Sequence, residues 1–283
     1  MGGFRQSLKQ ARKISSSQIR KRAERSFNIC FIGADESDRA ALLRLFLPES
    51  TPRAERDRAV SFIRSSLAGG ARPREGELVV WTSAAAQMAG VDSSRQAVVD
   101  LDQPLPGWER LLRLQPSMAL ALARTFPVLR PIAARHCIEA TALRNAAFAA
   151  ISAIPEVAPT PLSLVWAAGE FASDTIVLTA NQVRLAFELA ALAGAEVGWT
   201  RQSGRLLAIV AGAFGWRALA RELVSLIPAG VGLAAKSGIA YSGTYAVGKM
   251  LWQFNGDIQR EPRARKALRA APEESLGSLP LSA

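Results

Sequence analysis

The stretch "FNICFIGADESDRAALLRLF", residues 27–46, predicts a buried strand, a short loop and a helix. Its first seven residues are mostly β-branched, aromatic or otherwise apolar, and they end at Gly33. Asp35 or Ser37 can then cap a helix. The apolar positions of that helix are expected to face a sheet: Leu42, Leu43, Leu45 and Phe46. A strand joined to a helix in this way is the repeating unit of an α/β fold.

Two further apolar segments continue this pattern as far as residue 115. "ELVVWTS" at 77–83 and "QAVVDLD" at 96–102 are predicted strands, whereas "AVSFI" at 59–63 is equally compatible with strand and helix. Short apolar strands separated by helical patterns indicate an open, parallel sheet. We therefore expect an α/β domain over residues 27–115.

The loop after Gly33 has the form of a phosphate loop but lacks its ligands. In the motif G-x-x-x-x-G-K-[ST], the second glycine allows close backbone approach, the lysine contacts phosphates and the hydroxyl holds magnesium. Counting from Gly33, these positions hold Asp38, Arg39 and Ala40. Asp38 brings a side chain and a negative charge, and Ala40 offers no metal ligand. We expect a degenerate P-loop GTPase-like open sheet that has no catalytic residue, no bound cofactor and no metal.

The residues that read guanine are missing as well. GTPases carry Asn-Lys-x-Asp after a later strand, and the nearest match here is the run Val99 to Asp102, in which only the final acid agrees. No Asp-x-x-Gly metal-binding turn lies between the first strand and "ELVVWTS". The alternative, a GTP-binding and GTP-hydrolysing protein with an atypical phosphate loop, would need a site assembled from other residues.

The composition favours an anionic partner and disfavours several kinds of site. Lys and Arg outnumber Asp and Glu by 35 to 24, which attracts acidic lipid headgroups or nucleic acid. One histidine and two cysteines exclude histidine-rich metal sites and a disulfide framework, and they indicate a reducing, cytoplasmic setting. The adjacent His136 and Cys137 would point about 100° apart on a helix, so they are not expected to act as a nucleophile pair.

The positive charge is concentrated at the two ends of the chain. Residues 1–26 are a predicted basic amphipathic leader, with no secretory signal, and residues 259–283 a predicted basic disordered tail. The leader could lie in the headgroup plane of an anionic membrane, since apolar residues share one face and basic residues surround it. Its contact residues would be Phe4, Arg5, Leu8, Lys9, Arg12 and Lys13. Nucleic-acid binding through the two tails is the less favoured alternative, because the charge does not line a folded groove.

Residues 116–258 are predicted to form a helical domain. Helices are expected at about 117–126, 128–152, 200–212, 215–227 and 231–253, with a break at "IPEVAPTP", residues 154–161. Thr179 is expected to cap the helix "ANQVRLAFELAALAG", and Gly194 to end it. "QPLPGWERLLRLQPS" at 103–117 holds three prolines, so we expect the boundary between the domains near residues 110–118.

Three segments of the helical half resemble one known family. "RPIAARHCIEATALRNAAFAAISAIP", "LTANQVRLAFELAALAG" and "LIPAGVGLAAKSGIAYSGTYAVGKML" are similar to the bacterial domain-of-unknown-function 697 family, over roughly residues 118–254. The resemblance implies a helical domain that follows a GTPase domain of the Era-like group and associates with membranes, and it implies no activity. This chain departs from the family in its degenerate GTPase half and in the long connector "VAPTPLSLVWAAGEFASD".

Small residues in the last of these segments form a candidate membrane or partner contact. Glycine and alanine allow two helices to approach closely, either in water or in lipid. The segment can therefore pack inside a bundle or dip into a bilayer as a hairpin, although its lysines oppose deep insertion. Its candidate contact residues are Gly230, Gly238, Tyr241, Gly243, Tyr245 and Gly248. We expect a non-enzymatic adaptor or scaffold at the inner face of the cell membrane, with a protein partner that the sequence does not identify.

Overall fold

The computed structural model of the 283-residue chain describes residues 16–70, 73–152, 163–198 and 232–270. Several predictions fall outside these ranges: the helices expected at 200–212 and 215–227, the break at 154–161, and Gly230. The six candidate contact residues of the leader, from Phe4 to Lys13, also lie outside the described residues.

Four parallel strands form one sheet in the described part of the chain. They are β1 (Ile29–Gly33), β2 (Ile63–Leu67), β3 (Leu78–Thr82) and β4 (Ala97–Val99), in the order β2-β1-β3-β4. The central strand β1 sets Phe31 opposite Ser65 on β2 and Val80 on β3. The predicted open, parallel sheet is therefore confirmed.

Helices surround the sheet and continue beyond it. In chain order they are α1 (Ser16–Ala23), α2 (Glu36–Phe46), α3 (Arg53–Val60), α4 (Ser83–Met88), α5 (Pro104–Leu114), α6 (Ala119–Thr125), α7 (Arg130–Ser152), α8 (Ser163–Leu192) and α9 (Gly232–Ala270), with a 3-10 turn at Pro127–Leu129 before α7. An α/β part followed by a helical part is thus confirmed. The ambiguous segment 59–63 contains both kinds of structure, since α3 ends at Val60 and β2 begins at Ile63.

Two predicted helix boundaries need correction, and one is confirmed. Thr179 lies inside α8 and does not cap it, because helix extends on both sides of this residue. Gly194 does end α8, with φ at +76° and with the N–H of Ala195 donating to the carbonyl of Ala190 over 2.9 Å. The tail predicted to be disordered from residue 259 is helical as far as Ala270. Arginine, lysine, alanine and leucine, which fill residues 263–270, all favour helix.

The proline-rich segment before residue 116 is helix α5 and packs on the sheet. Pro104 and Pro106 lie in the first turn of α5, where a missing N–H breaks no intrahelical bond. A Cβ on Gly107 would lie only 2.5 Å from the carbonyl oxygen of Val98, so α5 touches the backbone of β4. Leu111 and Leu112 are buried on the same helix.

One hydrophobic core runs from the sheet into the helical part. Phe126, between α6 and the 3-10 turn, is fully buried and joins an aromatic cluster with side chains from the α/β part. Its ring centroid lies 6.2 Å from that of Phe27, 6.1 Å from that of Phe31 and 5.3 Å from that of Phe46. The same core continues to Phe187 on α8. This core therefore extends across the domain boundary that the sequence predicts near residues 110–118.

The described parts of α7, α8 and α9 pack together as a bundle. A Cβ on Gly248 of α9 would lie 2.9 Å from both Ile138 Cγ1 and Ile138 Cγ2, and 3.2 Å from Leu185 Cδ2. At this position the small residue does allow close helix packing, as the sequence predicted. Gly243 is buried too, whereas Gly238 is exposed and faces open space.

Candidate functional site

The candidate site lies at the carboxyl edge of the sheet, between β1 and β3. The chain leaves β1 toward β2 on one side, whereas β3 and β4 lie on the other. In open α/β sheets, ligands bind at such a switch point, outside the carboxyl ends of the strands. Here β1 ends at Gly33, β3 ends at Thr82, and Asp38 comes from the first turn of α2.

The carboxylate of Asp38 lies at this edge and accepts two hydrogen bonds from the protein. Its Oδ2 accepts the backbone N–H of Ala34 over 2.8 Å and also accepts the hydroxyl of Thr82. In a working phosphate loop, backbone N–H groups at this place point toward phosphate oxygens. In this chain, a loop N–H and the adjacent hydroxyl donate to the protein's own carboxylate.

Further carboxylates cover the start of α2. Of the two predicted caps, Asp35 and Ser37, the N-cap is Asp35, and its Oδ1 accepts the backbone N–H of Asp38 over 2.8 Å. Glu36 and Asp38 follow within the first turn. Three acidic side chains at a helix N-terminus complement the helix dipole, and they repel a phosphate that approaches the same place.

Gly33 is required by the packing of α2 against the end of β1. A Cβ at this position would lie 2.4 Å from the backbone nitrogen of Arg39 and 2.7 Å from its Cα. These contacts are to backbone, so the helix itself would have to move. The glycine therefore has a structural role that needs no bound phosphate.

Arg39 and Ala40 occupy the remaining motif positions. The guanidinium of Arg39 pairs with the carboxylate of Glu36, and its Nη1 lies 3.4 Å from the hydroxyl of Ser65 on β2. The methyl group of Ala40 offers no oxygen to a metal ion. Among the described residues, no group of three His, Cys, Asp or Glu side chains could hold a metal.

The candidate contact residues on α9 that the structure describes lie in the helical bundle, not at the sheet edge. Tyr241 and Tyr245 are half-buried and stack with their ring centroids 5.9 Å apart. Gly243 and Gly248 are buried, and Gly238 is exposed. Each helix in the described part of the chain is either too short or too polar to span a bilayer.

A buried polar chain joins the three bundle helices, and sequence reasoning missed it. The Nδ2 of Asn145 donates to Thr244 Oγ1 over 2.8 Å, and the Nδ2 of Asn181 donates to Asn145 Oδ1 over 2.7 Å. The sequence shows Asn145, Asn181 and Thr244 only as polar residues within predicted helices, and that pattern does not say which residues pair. Because buried polar groups need hydrogen-bond partners, this network of side chains favours one alignment of α7, α8 and α9.

An ion pair that sequence reasoning also missed lies near the amino ends of the strands. Arg64 on β2 meets Glu77 with Nε–Oε1 at 2.9 Å and Nη2–Oε2 at 2.5 Å. The hydrogen bond from Arg64, more than any other interaction, lowers the pKa of the Glu77 carboxyl. Because the pKa is lowered in the fold, this pair stabilises the protein above the usual carboxyl pKa, and the contribution is lost on acidification.

The two cysteines are held as neutral thiols. Cys30 is fully buried on β1, and burial raises its pKa. Cys137 on α7 packs against the core, and burial raises its pKa to about 12. Since the thiolate is the nucleophilic form, neither side chain is an activated nucleophile.

The chain matches no protein-family model, no curated protein and no solved structure. The resemblance of the helical half to the domain-of-unknown-function 697 family therefore stays a prediction.

Proposed function

We propose that this chain is a non-enzymatic adaptor or scaffold, built on a degenerate P-loop GTPase-like sheet and acting next to an anionic membrane. The observation that carries the proposal is the carboxylate of Asp38, which accepts both the loop N–H of Ala34 and the hydroxyl of Thr82. Asp38 stands where the motif has its second glycine, and its carboxylate takes hydrogen bonds from donors that a phosphate would otherwise use.

A nucleotide would have to displace this arrangement. Releasing Asp38 gives up two hydrogen bonds to a charged acceptor, each contributing about 1.5–3 kcal/mol. The incoming phosphates would then meet the carboxylates of Asp35, Glu36 and Asp38. Neither Arg39, paired with Glu36, nor Ala40 supplies the missing ligands. The net effect opposes binding.

We therefore expect no saturable binding of GTP or ATP analogues at micromolar concentrations. The test is calorimetric titration of the full-length protein with non-hydrolysable triphosphates and magnesium. A triple variant, Asp38→Gly with Arg39→Lys and Ala40→Ser, restores the three motif residues and should gain measurable affinity for a triphosphate. Saturable micromolar binding by the unaltered protein would instead support the alternative, a GTP-binding protein with an atypical loop.

The membrane part of the proposal rests on the basic leader and on its attachment to the fold. Helix α1, which follows the leader's contact residues, buries Ile19 and Ala23 in the core. Arg22 Nη1 pairs with Glu188 Oε1 on α8 over 3.1 Å. Each basic residue near an acidic leaflet contributes about 1 kcal/mol, so four to eight of them suffice for reversible attachment.

Liposome flotation tests this attachment. The full-length protein should float with phosphatidylglycerol vesicles at low salt, less at high salt, and not with neutral vesicles. Replacing Arg5, Lys9, Arg12 and Lys13 with glutamine should abolish most of the flotation. The matched control replaces four cations of the tail with glutamine: Arg260, Arg263, Arg265 and Lys266. Equal loss in both variants would mean that the leader is not a specific anchor, and a preference for duplex DNA over vesicles would favour nucleic-acid binding.

A further inference from the structure

A cleft of about 320 Å³ opens between α5, α7 and α9, away from the sheet edge described above. Its volume is at the lower end of the range of small-molecule sites, which begins at about 300 Å³. Residues of all three helices line it. Close contact at Gly248 holds α9 against Ile138 of α7, and α5 adds a third wall through Leu105.

The walls of the cleft are mostly apolar and aromatic. Six of its lining residues are of this kind: Leu105, Pro131, Ile132, Ile138, Tyr245 and Trp252. Leu105 is half exposed, although it is a large aliphatic side chain. Covering a surface of this composition with an apolar group lowers the free energy, because apolar area is removed from water.

The charges on the lining are all positive. Arg135 on α7 and Lys249 on α9 are the charged residues of the lining, and both are exposed. Arg135 pairs with the carboxylate of Glu109 on α5, whereas Lys249 has no carboxylate partner among the described residues. An ammonium without a partner beside an apolar cleft attracts an anion that carries an apolar body.

We infer that this cleft binds a free aliphatic or aromatic carboxylate, with its apolar part against the helix walls and its carboxylate at Lys249 and Arg135. The negative charge of Glu109, next to Arg135, repels a doubly charged phosphate more strongly than a singly charged carboxylate. Arg135 already donates a hydrogen bond to one carboxylate, that of Glu109. This inference does not depend on the proposed function, because it requires neither a nucleotide site nor a membrane.

The test titrates the full-length protein with decanoate below its micelle-forming concentration, and with decanol as the uncharged match. We expect one decanoate per chain, and binding of decanol weaker by about tenfold or more, the effect of losing one charged hydrogen bond. Lys249→Gln should weaken decanoate binding by a similar factor. Lys21→Gln, which removes an exposed cation on α1, is the matched control and should change nothing.

A cavity-filling variant separates the cleft from other apolar surfaces. Leu105→Trp should abolish binding and leave the fold intact, since Leu105 is 50% exposed and the larger ring can enter the cleft. Circular dichroism and the melting temperature check that all three variants fold. Decanoate binding that is absent, or equal in all variants, would overturn the inference. So would a requirement for Lys249 in phosphatidylglycerol vesicle binding without any decanoate binding, which would assign the cleft to lipid headgroups.

Discussion

Replacing Phe126 with alanine is expected to lower the free energy of unfolding by about 3–5 kcal/mol, the usual cost of emptying a phenylalanine site in a core. Phe126 is fully buried and its ring contacts those of Phe27, Phe31 and Phe46. These partners belong to the α/β part, whereas Phe126 precedes the long helices. We therefore expect the sheet and the helical part to lose stability together.

Urea unfolding followed by hydrogen exchange and mass spectrometry measures this directly. Peptides from β1 and from α7 should lose protection by similar amounts in the variant. The matched control is Leu143→Ala, on α7 but 60% exposed, which should change stability by less than about 0.5 kcal/mol. Loss of protection in α7 alone, with β1 unchanged, would contradict a shared core. Separate domains joined near residues 110–118, as the sequence predicted, would then be the better description.

The second large effect is expected from Gly33→Ala, which should cost about 3 kcal/mol, at the upper end for overpacking. The added methyl would lie 2.4 Å from the backbone nitrogen of Arg39, and backbone cannot turn aside as a flexible side chain can. To relieve the contact, α2 must move away from β1. That movement would also disturb the carboxylate of Asp38, which donors from the loop and from β3 hold in place.

Thermal melts of the purified variants measure this cost. Gly69→Ala is the matched control, because a Cβ at Gly69 meets nothing within 4 Å. The control should melt within a few degrees of the parent, and Gly33→Ala well below it. An unchanged melting temperature for Gly33→Ala would mean that α2 can shift freely, and Gly33 would then need another explanation.

Local sequence signals were sufficient to predict an element where its position is set by residues within or next to it. The strand β1, its loop and α2 followed from an apolar run, Gly33 and the cap at Asp35. Gly194 could be predicted as the end of α8 because a helix end with positive φ favours glycine. Local signals misled at Thr179 and in α5. A good capping residue can lie inside a helix, and prolines that suggest a linker can instead form a first turn.

The sequence alone determined that the loop after Gly33 lacks the residues of a phosphate-binding motif, because that conclusion needs only the identities of Asp38, Arg39 and Ala40. It could not show which groups the carboxylate of Asp38 contacts. Asp38 and Thr82 are 44 residues apart, and they meet only because β1 and β3 are neighbours in the sheet. Likewise, Asn145 and Thr244 are 99 residues apart, and they meet because α7 packs against α9. Periodicity reports which face of each segment is buried, but only the packing of the whole chain decides which buried faces touch.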